Sequence, residues 1–159
     1  MTVTVYRLVK LRYQDQMFSG LGGLYAQGRW TPRGRPVVYT SGSVSLAILE
    51  YTINYRRRGW APASVLGRAI IPDSVMIDTV RSSDLPANWF AATPPAALQD
   101  IGEDWLERGA TAILKVPSAV VPEEWNYLLN PQQADFRQIV VPPPEPFSFD
   151  RRLARTRKR

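Results

Sequence analysis

Three side chains able to do chemistry fall between Gly28 and Glu50 of the 159-residue chain. Arg29 stands in a basic, glycine-flanked turn, Tyr39 in a short apolar run and Glu50 in the second turn of an amphipathic stretch. A guanidinium in such a turn can grip a phosphate with two parallel hydrogen bonds, or it can be an ordinary surface arginine. A tyrosine at the end of a buried strand can stack on a flat ring or simply fill core. A carboxylate at the edge of a helix's buried stripe can stabilise a sugar-like cation in glycosyl transfer, or face solvent. Farther on, Ser118 follows a proline between two apolar runs. The chain has no histidine to activate it, so it suits hydrogen-bond donation better than nucleophilic attack; otherwise it is a turn serine.

Composition narrows the chemistry further. Cysteine and histidine are both absent. That rules out disulfides, thiolate or imidazole metal sites, and every Ser-His or Cys-His mechanism. Any reaction must run on Arg, Tyr, Glu, Asp, Ser or Lys. Apolar residues make up 45% of the chain, enough for the packed core of one domain. The 14 prolines and 10 glycines imply many turns. An α+β domain with small mixed or antiparallel sheets and flanking helices is expected, rather than a helical bundle. The opening MTVTVYRLVKLRY lacks a secretory-signal plan, and no apolar run approaches the ~20 residues of a membrane span. A cytoplasmic protein is the expectation. The net charge is +6, yet residues 151–159 alone hold six basic side chains and no acid. Residues 1–150 form a neutral body and 151–159 a basic tail, so the body is not built as a nucleic-acid surface.

Several elements must position these groups. Alternation predicts a strand from about Val3 to Leu8, followed by a glycine-rich loop that runs to Trp30. Thr31 to Pro36 is a turn, and Val37 to Ser41 a buried strand. Ser43 is a suitable N-cap for a helix with Val44, Ala47, Ile48, Tyr51 and Tyr55 on one face. That helix should reach about Arg57 and stop before Gly59, with Arg56, Arg57 and Arg58 complementing its dipole. Val65 to Pro72 and Val75 to Asp78 suggest a hairpin around Pro72-Asp73-Ser74. Ser82 to Pro95 is irregular and anchored by Trp89 and Phe90; a second helix follows from Ala96 to Arg108, capped by Gly109. Ala112 to Pro122 suggests two strands broken at Pro117-Ser118. Arg137 to Val141 suggests a late strand closed by Pro142 to Pro144.

Taken together, the ordered blocks resemble a known family. They are Gly28-Arg29-Trp30, Pro36-Val37-Val38-Tyr39-Thr40-Ser41, Ser45-Leu46-Ala47 with Glu50, Leu114-Lys115-Val116-Pro117-Ser118, and Asn126-Tyr127-Leu128-Leu129-Asn130-Pro131. This pattern is similar to that of the RES-domain proteins, whose naming Arg, Glu and Ser match Arg29, Glu50 and Ser118; the ending Phe147-Ser148-Phe149-Asp150-Arg151-Arg152-Leu153 also fits. Thr31 departs from the commoner Asn, and the Trp-rich middle from Ser82 to Trp105 is less typical.

The resemblance implies a toxin of a type II toxin–antitoxin pair with a fold like diphtheria-toxin-type ADP-ribosyltransferases. It implies NAD as substrate and no metal. The nicotinamide–ribose bond would be cleaved by hydrolysis or phosphorolysis, or the ADP-ribose passed to a protein acceptor. The implied partner is an Xre-like antitoxin that blocks the site and itself carries the DNA contact; a homodimer or larger assembly is compatible. In that frame Glu50 orients the ribose and offsets its developing charge. Arg29 holds the pyrophosphate beside the loop from Gly20 to Gly28, and Tyr39 stacks on the nicotinamide or its ribose. Ser118 bonds the nicotinamide side or supports Glu50, while Gly28, Ser41 and Asn126 complete the NAD-binding set. Two other readings stay open: a nucleic-acid-binding toxin that uses the basic tail, and a non-catalytic interaction module.

Overall fold

The structure is a computed structural model that describes residues 1–55 and 63–154. Its strands are β1 (Val3–Lys10), β2 (Val38–Ser41), β3 (Ser64–Ile71), β4 (Ile77–Thr79), β5 (Ile113–Pro117), β6 (Trp125–Leu129) and β7 (Glu145–Phe147). All lie in one sheet, in the order β4-β5-β6-β2-β1-β3-β7. Only β4 and β5 pair in parallel; the other pairs are antiparallel. The helices are α1 (Gly22–Tyr25), α2 (Val44–Tyr55) and α3 (Ala97–Arg108). This is an α+β domain built on a single mixed sheet rather than on several small ones.

Strand alternation divides the core. Val5, Val38, Ala69, Ile71, Ile113 and Leu129 pack together on one face. On the other, Leu114, Leu128 and Tyr39 lie side by side in register across β5, β6 and β2, under Leu98, Trp105 and Leu106 of α3. Tyr6 pairs with Ser41 and Leu8 pairs with Leu66, which puts them on that same face. There Ala47 and Tyr51 of α2 cover them. Both long helices therefore sit on one face, and that face also presents Ser41 and Asn126, which are paired with each other. Because side chains alternate with period two, a one-residue slip would send Asn126 to the opposite side.

The start of α2 follows the sequence expectation. Ser43 Oγ accepts the backbone N–H of Leu46 at 3.1 Å, and its carbonyl accepts that of Ala47 at 3.1 Å. The buried side of α2 is turned slightly from the expected stripe: Leu46 is fully buried and Val44 only partly. Glu50, one turn beyond Leu46, is partly buried and reaches Asn126 on the interior strand β6. The arginines at 56–58 and the stop before Gly59 lie outside the described residues.

Three expectations are corrected. The supposed hairpin of β3 and β4 does not form. After the turn in which Val75 N–H bonds Pro72 O, Val75 enters the core and the chain crosses to the far edge, where β4 pairs in parallel with β5. Ala112 to Pro122 is one strand followed by a turn, not two strands. Arg137 to Val141 is not a strand either. Residues Ala134–Gln138 form a 3₁₀ turn capped by the Gln133 side chain, and Val140 alone of this stretch pairs with the sheet, opposite Ile70. The edge place on β3 goes instead to β7, where Pro146 faces Val65. An edge strand tolerates a proline because it need not donate on its open side.

Candidate active site

Glu50 is the point of convergence. Its Oε1 accepts the Ser118 hydroxyl at 3.0 Å and the Asn126 side-chain amide at 2.6 Å. Ser118 follows the last residue of β5, and Asn126 lies on neighbouring β6. Three elements distant in sequence thus meet on one oxygen. Ser118 is fully buried, and its Oγ also accepts the backbone N–H groups of Val120 and Val121 at 3.0 and 3.1 Å. With those bonds accepted, its single proton is aimed at Glu50. That makes Ser118 a fixed donor, as its chemistry without histidine required. The Asn126 amide nitrogen is turned toward Glu50, while its Oδ1 is buried without a hydrogen-bond partner among the described residues. The turn after Ser118 is tied to α2 as well. Ser118 N–H bonds the carbonyl of Glu124, whose carboxylate accepts the Ser43 hydroxyl at 2.7 Å. Glu124 carries no motif signal in the sequence; its role emerges only when the two loops meet.

Arg29 is held from behind. Its NH1 donates to the carbonyls of Trp89 and Ala91 at 3.0 and 2.9 Å. Burial pulls its pKa below the usual arginine value, and the negative charge of Glu50 pushes it back up. The cation and the carboxylate therefore sense each other across the site.

Tyr39 supports the loop that carries this arginine. Its hydroxyl lies 2.6 Å from Thr31 Oγ1, and burial raises its pKa to about 12 against those hydrogen bonds. A side chain at Gly28 would overlap the Tyr39 hydroxyl, so glycine there gives the loop its close seat on the ring. Gln99 Nε2 fastens the same loop through Gly28 O at 3.0 Å. Thr31, the departure from the commoner Asn, is buried and is Tyr39's partner. Ser41 is buried opposite Asn126 in the sheet register. The sequence candidates are thus brought together, with Ser118 and Asn126 on Glu50, and with Gly28, Arg29 and Tyr39 in one loop assembly. Thr31, Gln99 and Glu124 join them unannounced.

Two expected results arise from this geometry. Ser118→Ala removes one donor from Glu50 and strands two turn N–H groups, so it should lower activity by roughly 10–100-fold. It should also lower stability by about 1–3 kcal/mol. Steady-state kinetics alongside thermal unfolding checks both; unchanged values for both would remove Ser118 from the site. For Tyr39 the folded pKa lies above the unfolded one, so the folded state holds the proton more tightly. The stability this gives is complete below the ordinary pKa of 10 and is lost as pH rises toward about 12. Denaturant titrations should show a loss of about 2–3 kcal/mol across that window, reduced in Tyr39→Phe.

Known proteins resemble this chain over nearly its whole length. The RES domain model matches residues 4–150. The protein "Toxin Res" of Photorhabdus laumondii is 36% identical over 155 residues, covering 97% of this chain and 99% of that protein. The "Prs ADP-ribosylating toxin" of a Sphingobium strain is 30% identical over 159 residues, covering 98% and 99%. A chain of the M. tuberculosis MbcT–MbcA toxin–antitoxin complex superposes with a TM-score of 0.75 at 17% identity, over 93% of this chain and 85% of that one, and so shares the fold. With relatives of this identity spanning nearly its whole length, the chain belongs to the RES-domain family.

Proposed function

We propose that this chain is the toxin of a toxin–antitoxin pair and that it consumes NAD by cleaving the nicotinamide–ribose bond. The observation that carries the reading is the Glu50 carboxylate fixed by two donors on one oxygen, with a partly buried arginine sensing its charge. The names of the relatives support the biological role, since they are called toxins, and one an ADP-ribosylating toxin.

The residues suit the chemistry. Cleavage breaks the bond between ribose C1′ and the pyridinium nitrogen, and the electron pair leaves with neutral nicotinamide. Positive charge builds on the ribose as this happens. Glu50, held rigid by Ser118 and Asn126, stabilises that charge and takes ribose hydroxyls on its other oxygen. Rigidity matters because a carboxylate already in place need not reorganise as charge develops. Arg29 binds the pyrophosphate: NH1 is anchored on two carbonyls, and a guanidinium has further donors for an anion. Tyr39 is assigned to holding the arginine loop rather than to stacking on nicotinamide, because its hydroxyl end is committed to Thr31. The acceptor then adds a lone pair to C1′ and loses a proton. Water gives ADP-ribose, phosphate gives its 1-phosphate, and a protein side chain gives an ADP-ribosylated product.

The protein-acceptor outcome is the second reading, favoured by the name of the Sphingobium relative. Mass analysis of the products formed from NAD, with and without phosphate and with cell lysate, separates the three outcomes. Nicotinamide without a labelled protein supports hydrolysis or phosphorolysis; label on a lysate protein supports transfer. The partner in this reading is an Xre-like antitoxin, which carries any operator contact, and the toxin acts in the cytoplasm; a toxin homodimer and a larger toxin–antitoxin assembly are both compatible with the chain. Among the described residues no helix is long and apolar enough to cross a membrane.

A further inference from the structure

Phe90 stands out among the aromatics near the site. Its neighbour Trp89 is buried and belongs to the core cluster of α3, whereas Phe90 leaves 54% of its surface exposed. A lone exposed aromatic is ordinary on a protein surface; its position is what gives this one meaning. Trp89 and Ala91, on either side of it, supply the two carbonyls that hold Arg29 NH1. Phe90 therefore rides on the short segment that wraps the site's cation.

The segment is also stiff. Trp89 N–H bonds Pro86 O and Ala91 N–H bonds Asn88 O, both at 3.0 Å, so successive turns fix the backbone on both sides of the ring. The rings of Trp89 and Phe90 meet edge to face, with centroids 5.6 Å apart and planes at 80°. The buried indole thus presets the orientation of the exposed ring. A preset, half-exposed aromatic beside an anion-binding arginine has the makings of a nucleotide subsite, with a cation for the phosphates and a flat apolar face for the base.

Arg29 relates to both ends of this arrangement. Electrostatically it faces Glu50, and through its hydrogen bonds it is tied to the segment bearing Phe90. If the reacting ribose meets Glu50 and the pyrophosphate meets Arg29, the far nucleoside continues toward Phe90. We infer that Phe90 is the stacking platform for the adenine ring of the substrate, and so a specificity-determining residue that distinguishes an adenine dinucleotide from its nicotinamide half alone. This inference rests on the NAD reading above.

The test is equilibrium binding of two probes, ADP and nicotinamide mononucleotide, to the full chain and to Phe90→Ala. ADP affinity should fall about tenfold in Phe90→Ala, the range set by loss of one base stack, while nicotinamide mononucleotide binding stays unchanged. Phe90→Tyr should restore ADP binding. Because the ring is half exposed, the melting temperature of Phe90→Ala should match that of the unaltered chain, which excludes a folding defect as the cause. Equal ADP affinity in both proteins would overturn the inference, as would an equal loss for both probes or no ADP binding by the unaltered chain. Nicotinamide release from NAD is scored separately. A chain that binds ADP through Phe90 yet cleaves no NAD would keep the subsite and refute the reaction; one that cleaves NAD but binds ADP equally well with and without the Phe90 ring would do the reverse.

Discussion

Glu50→Gln should abolish most nicotinamide release, by about 10²–10³-fold, while leaving the protein folded. The substitution is nearly isosteric. The glutamine carbonyl oxygen can still accept the Ser118 hydroxyl and the Asn126 amide that now meet on Oε1. What disappears is the negative charge opposite the developing ribose cation. A loss confined to kcat, with KM within a few-fold, would mark an interaction made chiefly in the transition state. Glu50→Ala is a poorer probe, because it leaves the buried Ser118 hydroxyl and the partly buried Asn126 amide without their acceptor and mixes a folding defect with a catalytic one. Matching thermal unfolding of Glu50→Gln and the unaltered chain is the control. A variant that unfolds normally and turns over normally would remove Glu50 from the reaction.

The second large effect is expected far from the chemistry, at Gly102→Ala. A glycine inside a 12-residue helix normally gains about 1 kcal/mol on replacement by alanine. Here the sign should reverse. A methyl group at position 102 would overlap the Trp30 carbonyl oxygen and press on the Thr31 side chain, so backbone rather than a pliable side-chain tip must move. Overpacking of this kind costs about 1–3 kcal/mol. In a protein of this size that is a drop of roughly 2–12 °C in melting temperature. The loop forced away is the one that carries Arg29 and rests on Tyr39, so activity should fall together with stability. Calorimetry and NAD turnover on the same sample check both; a stabilised Gly102→Ala would contradict the direct seating of α3 on this loop.

Much of the site was legible because its residues are chemically marked. Arg29 sits among glycines, Glu50 follows an N-cap and an amphipathic turn, and Ser118 follows a proline. The helices were legible for the same local reasons, a capping serine for α2 and a terminal glycine for α3. Partnerships between distant segments were not. Nothing local in Trp125 to Leu129 distinguishes a central strand from a buried loop, yet its register brings Asn126 to Glu50. The β3–β4 hairpin looked sound because a Pro-Asp-Ser turn separates two apolar runs. The competing event was parallel pairing of β4 with β5, more than thirty residues later. The late strand failed where a side-chain-capped turn outcompeted sheet pairing, and β7 was hidden by its proline. The need for glycine at position 102 became visible only with the Trp30 backbone packed on α3.

The most direct test of the central claim is nicotinamide release from NAD by the purified chain, followed over time beside Glu50→Gln. Steady release by the unaltered chain is expected, with a rate lower by about two to three orders of magnitude in the variant. Cleavage that proceeds equally in both would contradict the role of Glu50. Intact NAD in both, with cell lysate supplied and no ADP-ribose transferred to any protein, would contradict the NAD-consuming function itself.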